Sequence, residues 1–180
     1  MDKKDARNLI KERRMNLSTE YIDTASDKIF EKLLENEDFK NAKVIMSYMD
    51  FKNEVKTDKI NDYIKKAGKT LVLPKVITKE KMIAIEDKNK YIVSPFGNSE
   101  PDGEEYIGEI DLIITPGVAF DREKNRVGFG RGYYDRFFAI HKNAKKIAIA
   151  FEKQIIEEGI ETTEYDMKVD TLVTEDNIIN

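Results

Sequence analysis

The chain has 180 residues, 40% of them apolar and 37% charged, with only four prolines and nine glycines, a composition that suits one globular domain over residues 1–180 with a real core. Its formal net charge of −4 gives no general basic field, which disfavours nucleic acid as a partner but is compatible with a small anionic ligand. No cysteine and a single histidine, His141, are present, so disulfides, thiol nucleophiles, thiolate metal sites and paired-imidazole chemistry are excluded.

The first segment, "MDKKDARNLIKERR", is charged throughout and lacks the apolar core of a signal peptide. No apolar run approaches the roughly 18 residues that span a bilayer. A cytoplasmic protein with no membrane partner is therefore expected. Residues 2–16 predict a helix with a thin apolar stripe, of the kind that lies on a surface. Residues 18–36 place Ile22, Ala25, Ile29, Phe30, Leu33 and Leu34 at helical spacing behind Ser18 as N-cap, which predicts an amphipathic helix. "KVIMSYM" then reads as a strand, "TDKINDYIKKAGK" as a helix capped at Gly68, and "TLVLP" as a strand stopped by Pro74. That order predicts a parallel crossover unit. "KMIAIED" reads as a strand and "YIVSPFGNSEPDGEE" as a loop, whose 94–105 portion is turn-rich enough to close over a ligand. "EIDLIITPG" is a buried strand, "YYDRFFAIHK" a helix, "KKIAIAF" a strand, "EKQIIEEG" a short helix and "DTLVTE" a last strand. Short buried strands alternating with helices predict an α/β sandwich.

Between the strand "DLIIT" and the helix from Tyr133 lies "NRVGFGRG". Gly128, Gly130 and Gly132 let backbone N–H groups approach a ligand closely, and the following helix offers its positive N-terminus. Arg126 and Arg131 can add charge-assisted bonds to the same anion. The pattern suits a phosphate cradle, and equally a purely structural glycine turn. It is neither the GxGxxG dinucleotide fingerprint, because Tyr133 stands at the third glycine, nor a Walker A loop. Asp135, one turn into the helix, is placed as a surface charge, as a partner for Arg136, or as an oxygen ligand for Mg²⁺.

The string "PGVAFDREKNRVGFGRGYYDRFF" (116–138) resembles the signature of the 5-formyltetrahydrofolate cyclo-ligase family, and further similarities extend from Lys3 to Glu175. The resemblance implies a three-layer α/β/α sandwich with a mostly parallel central sheet. It implies ATP- and Mg²⁺-dependent cyclisation of 5-formyltetrahydrofolate to 5,10-methenyltetrahydrofolate, with a phosphorylated formyl intermediate and release of ADP and phosphate. ATP contacts carry over to Lys3 and Arg7, four residues apart on one helical face, and to Arg126, Val127, Gly128, Phe129, Gly130, Arg131, Gly132, Tyr133 and Tyr134. Asp135 and Asp166 match magnesium ligands, with Arg126 and Asp135 as the catalytic pair. "SYMDFKNEVKT" resembles the folate segment, which assigns Met49 to the pterin or formyl group, Glu54 to the pterin N–H edge and Tyr133 to the junction of the two ligands. Without the resemblance, Lys3 and Arg7 read as a solvated basic face, where Lys4, Lys11 and Arg14 stay. Met49 would then be a strand residue, and Glu54 and Asp166 surface charges.

The chain departs from the pattern at "GNSEP" (97–101), at Arg131, where glycine or lysine is common, and at Tyr165, often histidine in bacterial members. Two other readings share the α/β sandwich: a phosphosugar-binding enzyme, and a non-catalytic nucleotide- or folate-binding module. The expected partners are the small molecules alone, bound by a monomer.

Overall fold

The structure is a computed structural model that describes residues 1–95 and 97–180. Its centre is a seven-stranded sheet. The strands are β1 (Val44–Met46), β2 (Thr70–Val76), β3 (Met82–Glu86), β6 (Leu112–Thr115), β9 (Lys145–Ile149), β10 (Thr171–Val173) and β11 (Ile178–Ile179). Their spatial order is β11-β10-β9-β6-β1-β2-β3, with the five inner strands parallel and antiparallel edges at β3 and β11. Two further hairpins complete the strands: β4 (Tyr91–Val93) with β5 (Ser99–Pro101), and β7 (Ala119–Phe120) with β8 (Arg126–Val127).

Alternate side chains of the sheet serve two cores. Ile45, Leu71, Leu73, Leu112, Ile114, Ile147, Ile149 and Val173 pack under α2 (Thr19–Glu35), α3 (Glu37–Asn41) and α4 (Asp58–Lys66). Met46, Val72, Ala84 and Ile113 face the other way, against Phe137 and Phe138 of α5 (Tyr133–Ile140). On that second side, α1 (Lys3–Met15) buries Ala6 and Ile10 against Val118, Ala119 and Val127 of the β7–β8 hairpin. The result is the expected α/β/α layering around a mostly parallel sheet, and the β1–α4–β2 crossover is present. Among the described residues, no helix is long and apolar enough to cross a membrane.

Local chemistry explains most boundaries. Asp2 caps α1 through Lys4 N and Asp5 N, and Ser18 caps α2 through Tyr21 N. Gly68, at φ +72°, ends α4, with Lys69 N donating to Ile64 O at 3.1 Å.

Several expectations are corrected. Pro74 does not stop β2, which runs on to Val76. Val72 O accepts from Ser47 N, so Val72, and with it Pro74 two residues on, turns its backbone polar groups toward β1. β1 has ended by then, and the missing N–H costs no ladder bond. The segment 91–105 is not a plain loop, because β4 and β5 pair within it; Phe96 lies outside the described residues. The helix expected over "EKQIIEEG" shrinks to a 3-10 turn, Glu152–Gln154, after which Ile155 bridges to Phe120. "DTLVTE" is not the last strand, since β11 folds back on β10.

Candidate active site at the strand switch point

Chain order along the parallel strands reverses between β1 and β6: β2 lies to one side of β1, while β6, β9 and β10 lie to the other. In an open α/β sheet, the crevice beyond the carboxyl ends at such a reversal is where ligands bind. The segment leaving β1 carries Met49 and Glu54. The segment leaving β6 leads through β7 and β8 to the glycine loop and α5. Both sequence-predicted ligand segments thus issue from the two strands flanking the reversal.

The glycine loop is shaped by its neighbours. Gly132 begins α5 in the left-handed region, at φ +68°, with no side-chain cap, a conformation that glycine adopts without penalty. Gly128 passes over Arg126 so closely that a Cβ there would lie 3.0 Å from Nη1. Arg7 reaches from α1 to donate from Nε to Gly128 O at 2.8 Å, and its guanidinium flanks Gly130. Phe129 and Arg131 are exposed between these glycines. Lys3, one turn before Arg7, pairs with Asp166. The predicted ATP residues of α1 therefore do meet the predicted loop and one predicted metal ligand.

Arg126 sits deeper than its sequence role suggests. Its side chain is 3% exposed and donates from Nη1 to Pro116 O at 3.3 Å and from Nη2 to Asp135 Oδ1 at 3.2 Å. The guanidinium lies near the rings of Tyr134 and Phe138, at 5.4 and 5.7 Å from their centroids, while its buried Nε has no partner among the described residues. Arg126 thus links the end of β6 to the first turn of α5. Asp135 and Asp166 share no partner: Asp135 bonds to Arg126, and Asp166 bonds through Oδ2 to Lys3 and Thr163. Burial alone would raise the Asp166 pKa, but Lys3 and the Thr163 N–H and hydroxyl together hold it below the ordinary value. Among the described residues, no three His, Asp or Glu side chains gather as a metal cage. Mg²⁺ usually takes one or two protein carboxylates and completes its shell with phosphates and water; Asp135 and Asp166 are donors of that type, each held in this structure by a cation, Arg126 and Lys3 respectively.

On the β1 side, Met49 is 38% exposed. Glu54 is half-buried, and Phe51 N donates to its Oε2 at 2.9 Å. Burial pushes the Glu54 carboxyl above its ordinary pKa, against the lowering effects of that N–H and of Arg14. Burial likewise raises the hydroxyls of Tyr48 and Tyr134, and the negative charge of Glu54 adds to both shifts. That shared charge effect links the β1 segment to α5.

Sequence reasoning missed Arg14, which it left on the solvated face. Arg14 Nε donates to Asn53 O at 3.0 Å, and Asn53 Nδ2 returns a bond to Arg14 O at 3.0 Å. Eleven residues are close to three helical turns, so Lys3 and Arg14 share a stripe with Arg7 between them, and that spacing was readable. Arg136, read from the sequence only as a partner for Asp135, is not that, since Asp135 pairs with Arg126. It donates to Arg131 O and Glu80 O and lies over the Tyr133 ring. Asp121, 2% exposed, was also missed: it accepts from Glu123 N, Asn125 N and Ile160 N and so fixes the β7–β8 turn.

Comparison with known proteins agrees with this architecture. A model of the 5-formyltetrahydrofolate cyclo-ligase family matches residues 1–175. A 5-formyltetrahydrofolate cyclo-ligase of Mus musculus is 31% identical, covering 97% of this chain and 94% of its own. A probable member of that name from Caenorhabditis elegans is 30% identical over 98% of this chain and 94% of its own. The solved 5,10-methenyltetrahydrofolate synthetase of Aquifex aeolicus superposes with a TM-score of 0.83 at 35% identity, covering 98% of this chain and 91% of that one. With the glycine loop, the α1 cations and the β1 segment all at one strand reversal, and with the match running along nearly the whole chain, this protein belongs to the 5-formyltetrahydrofolate cyclo-ligase family.

Proposed function

We propose that the protein catalyses the ATP- and Mg²⁺-dependent cyclisation of 5-formyltetrahydrofolate to 5,10-methenyltetrahydrofolate, releasing ADP and phosphate. The observation that carries this reading is the convergence of a cationic glycine loop and a half-buried carboxylate, Glu54, at the β1–β6 reversal. One half suits a polyphosphate and the other suits the N–H edge of an aminopyrimidine ring. A phosphosugar would leave the second half without a task.

In this proposal Lys3, Arg7, Arg131 and the N–H groups of the glycine loop, Val127 to Tyr134, hold the nucleotide phosphates. Glu54 accepts from the pterin N–H groups, which orients the ring. Met49 and Tyr133 flank the formyl group. Asp135 and Asp166 would hold Mg²⁺, which supplies charge neutralisation on the phosphates when bound. The formyl oxygen is a poor leaving group until it is activated. An O–P bond forms to the γ-phosphorus as its bond to ADP breaks, and the folate N10 lone pair then bonds to the formyl carbon. N10 gives up its proton, and the C–O bond breaks to release phosphate. Such chemistry asks the protein chiefly for positioning and charge, which suits a chain with no cysteine nucleophile. A monomer of one domain is the proposed working unit.

The test is direct. Purified protein with 5-formyltetrahydrofolate, ATP and Mg²⁺ should generate the ultraviolet absorbance of the methenyl product, and omission of ATP or of Mg²⁺ should abolish it. Binding of both ligands without that absorbance change would instead make the protein a non-catalytic module.

A further inference from the structure

Arg136 follows the proposed metal ligand Asp135, and although it is exposed its guanidinium is held by the backbone on both sides. Its Nη2 donates to Arg131 O at 2.7 Å, and its Nε donates to Glu80 O at 2.8 Å, in the turn between β2 and β3. The guanidinium lies 5.5 Å from the centre of the Tyr133 ring, and Tyr133 donates its hydroxyl to Thr78 O of the same turn at 3.2 Å. Two carbonyl-bearing segments far apart in the chain, the glycine loop and the turn between β2 and β3, are thus gripped by one planar fork.

We propose that Arg136 is a positioning residue that fixes the Arg131–Gly132 peptide and so presets the glycine loop for an anionic ligand. In a trans peptide the C=O and N–H point in opposite directions. Pinning Arg131 O therefore aims Gly132 N–H away from Arg136 and holds the left-handed Gly132 from which α5 starts. The fork matters as much as the charge, because one ammonium cannot reproduce two divergent N–H donors. The packing at Gly132 is consistent with the same role: a Cβ there would meet Arg136 Nη1 at 2.9 Å. A loop held in its bound shape before the ligand arrives spares the ordering cost of binding. The proposal rests on the nucleotide reading of the loop, and it acts on ATP affinity without contact between Arg136 and ATP.

The experiment measures ATP binding by calorimetry and the two Michaelis constants for wild type, Arg136→Lys, Arg136→Ala, Gly132→Ala and the Gly132→Ala/Arg136→Ala double variant. Arg136→Ala is expected to weaken ATP roughly tenfold or more while the folate KM stays within about twofold, with Arg136→Lys recovering only part of the loss. Gly132→Ala should weaken ATP as well, and the double variant should lose less than the two single losses combined, because the clash at Arg136 is gone. Amide exchange of the ligand-free protein should speed up at residues 130–133 in Arg136→Ala, so the loop is read even where turnover is low. Equal ATP affinity and unchanged exchange in a folded Arg136→Ala overturn the proposal alone. A wild-type protein that binds no ATP overturns the functional reading and this proposal with it.

Discussion

At the scale of the residue, the sharpest conflict in the structure is Glu54. Burial raises its pKa, so the folded chain holds the Glu54 proton more tightly than the unfolded chain does. Folding stability then falls as pH rises from the ordinary carboxylate value to the raised folded one, and the full cost is present above that window. A group that destabilises the ligand-free fold at neutral pH is the kind found at binding sites. Glu54→Gln keeps an oxygen for Phe51 N–H and removes the charge. It should raise the melting temperature at neutral pH, with the gain vanishing below the ordinary carboxylate range. The same change should weaken folate roughly tenfold, about 1.4 kcal/mol, and leave the ATP KM unaltered, as read by steady-state kinetics. An unchanged folate KM would remove Glu54 from the pterin edge, and an unchanged melting temperature would contradict the burial cost.

At the scale of the element, what was legible in the sequence is what local chemistry controls. Ser18 and Gly68 mark helix ends because their cap bonds lie within a few residues, and the β6 residues Leu112, Ile113 and Ile114 are consecutive apolar residues because both faces of the strand are covered. The β4–β5 hairpin was hidden because Pro, Gly and Asn punctuate the segment while its pairing is set between partners six to ten residues apart. Pro74 misled because its effect depends on where β1 ends, a neighbour in space and not in sequence. The site divides in the same way. The glycine loop and the Lys3–Arg7 spacing could be read, whereas the burial of Arg126 and the reach of Arg136 to Glu80 depend on tertiary packing. The first helix shows both sides. Its stripe is thin, yet Ala6 and Ile10 are fully buried against Val118, Ala119, Val127, Ile156 and Ile160. Ile10→Ala should therefore cost about 2–5 kcal/mol of stability, measured by urea unfolding, although it touches no proposed ligand. A loss below about 1 kcal/mol would match a surface position instead and would mean that α1 is not docked in solution.

At the scale of the whole molecule, α1 ties the separate segments of the site together. Along one helix, Lys3 pairs with Asp166, Arg7 bonds Gly128 O, Arg13 bonds Lys153 O and Ile155 O, and Arg14 exchanges bonds with Asn53. The chain's net negative charge thus hides a local cationic stripe that faces the glycine loop and reaches the segment after β1 that is proposed to bind folate. Arg14 stands at the far end of that stripe, and its charge opposes the upward shift of Glu54. Removing it should drive the Glu54 pKa further up. If ionised Glu54 receives the pterin N–H groups, folate affinity strengthens as pH rises through the Glu54 pKa, because the carboxylate accepts both bonds only after losing its proton. Arg14→Ala should then displace that strengthening to higher pH, while Arg14→Lys, which keeps the charge, should stay nearer to wild type. The folate KM measured between about pH 5 and 8 would show the displacement, since stability and binding titrations are linked through the same proton. Coincident profiles for wild type and Arg14→Ala would mean that α1 sets the shape of the folate segment but not its charge.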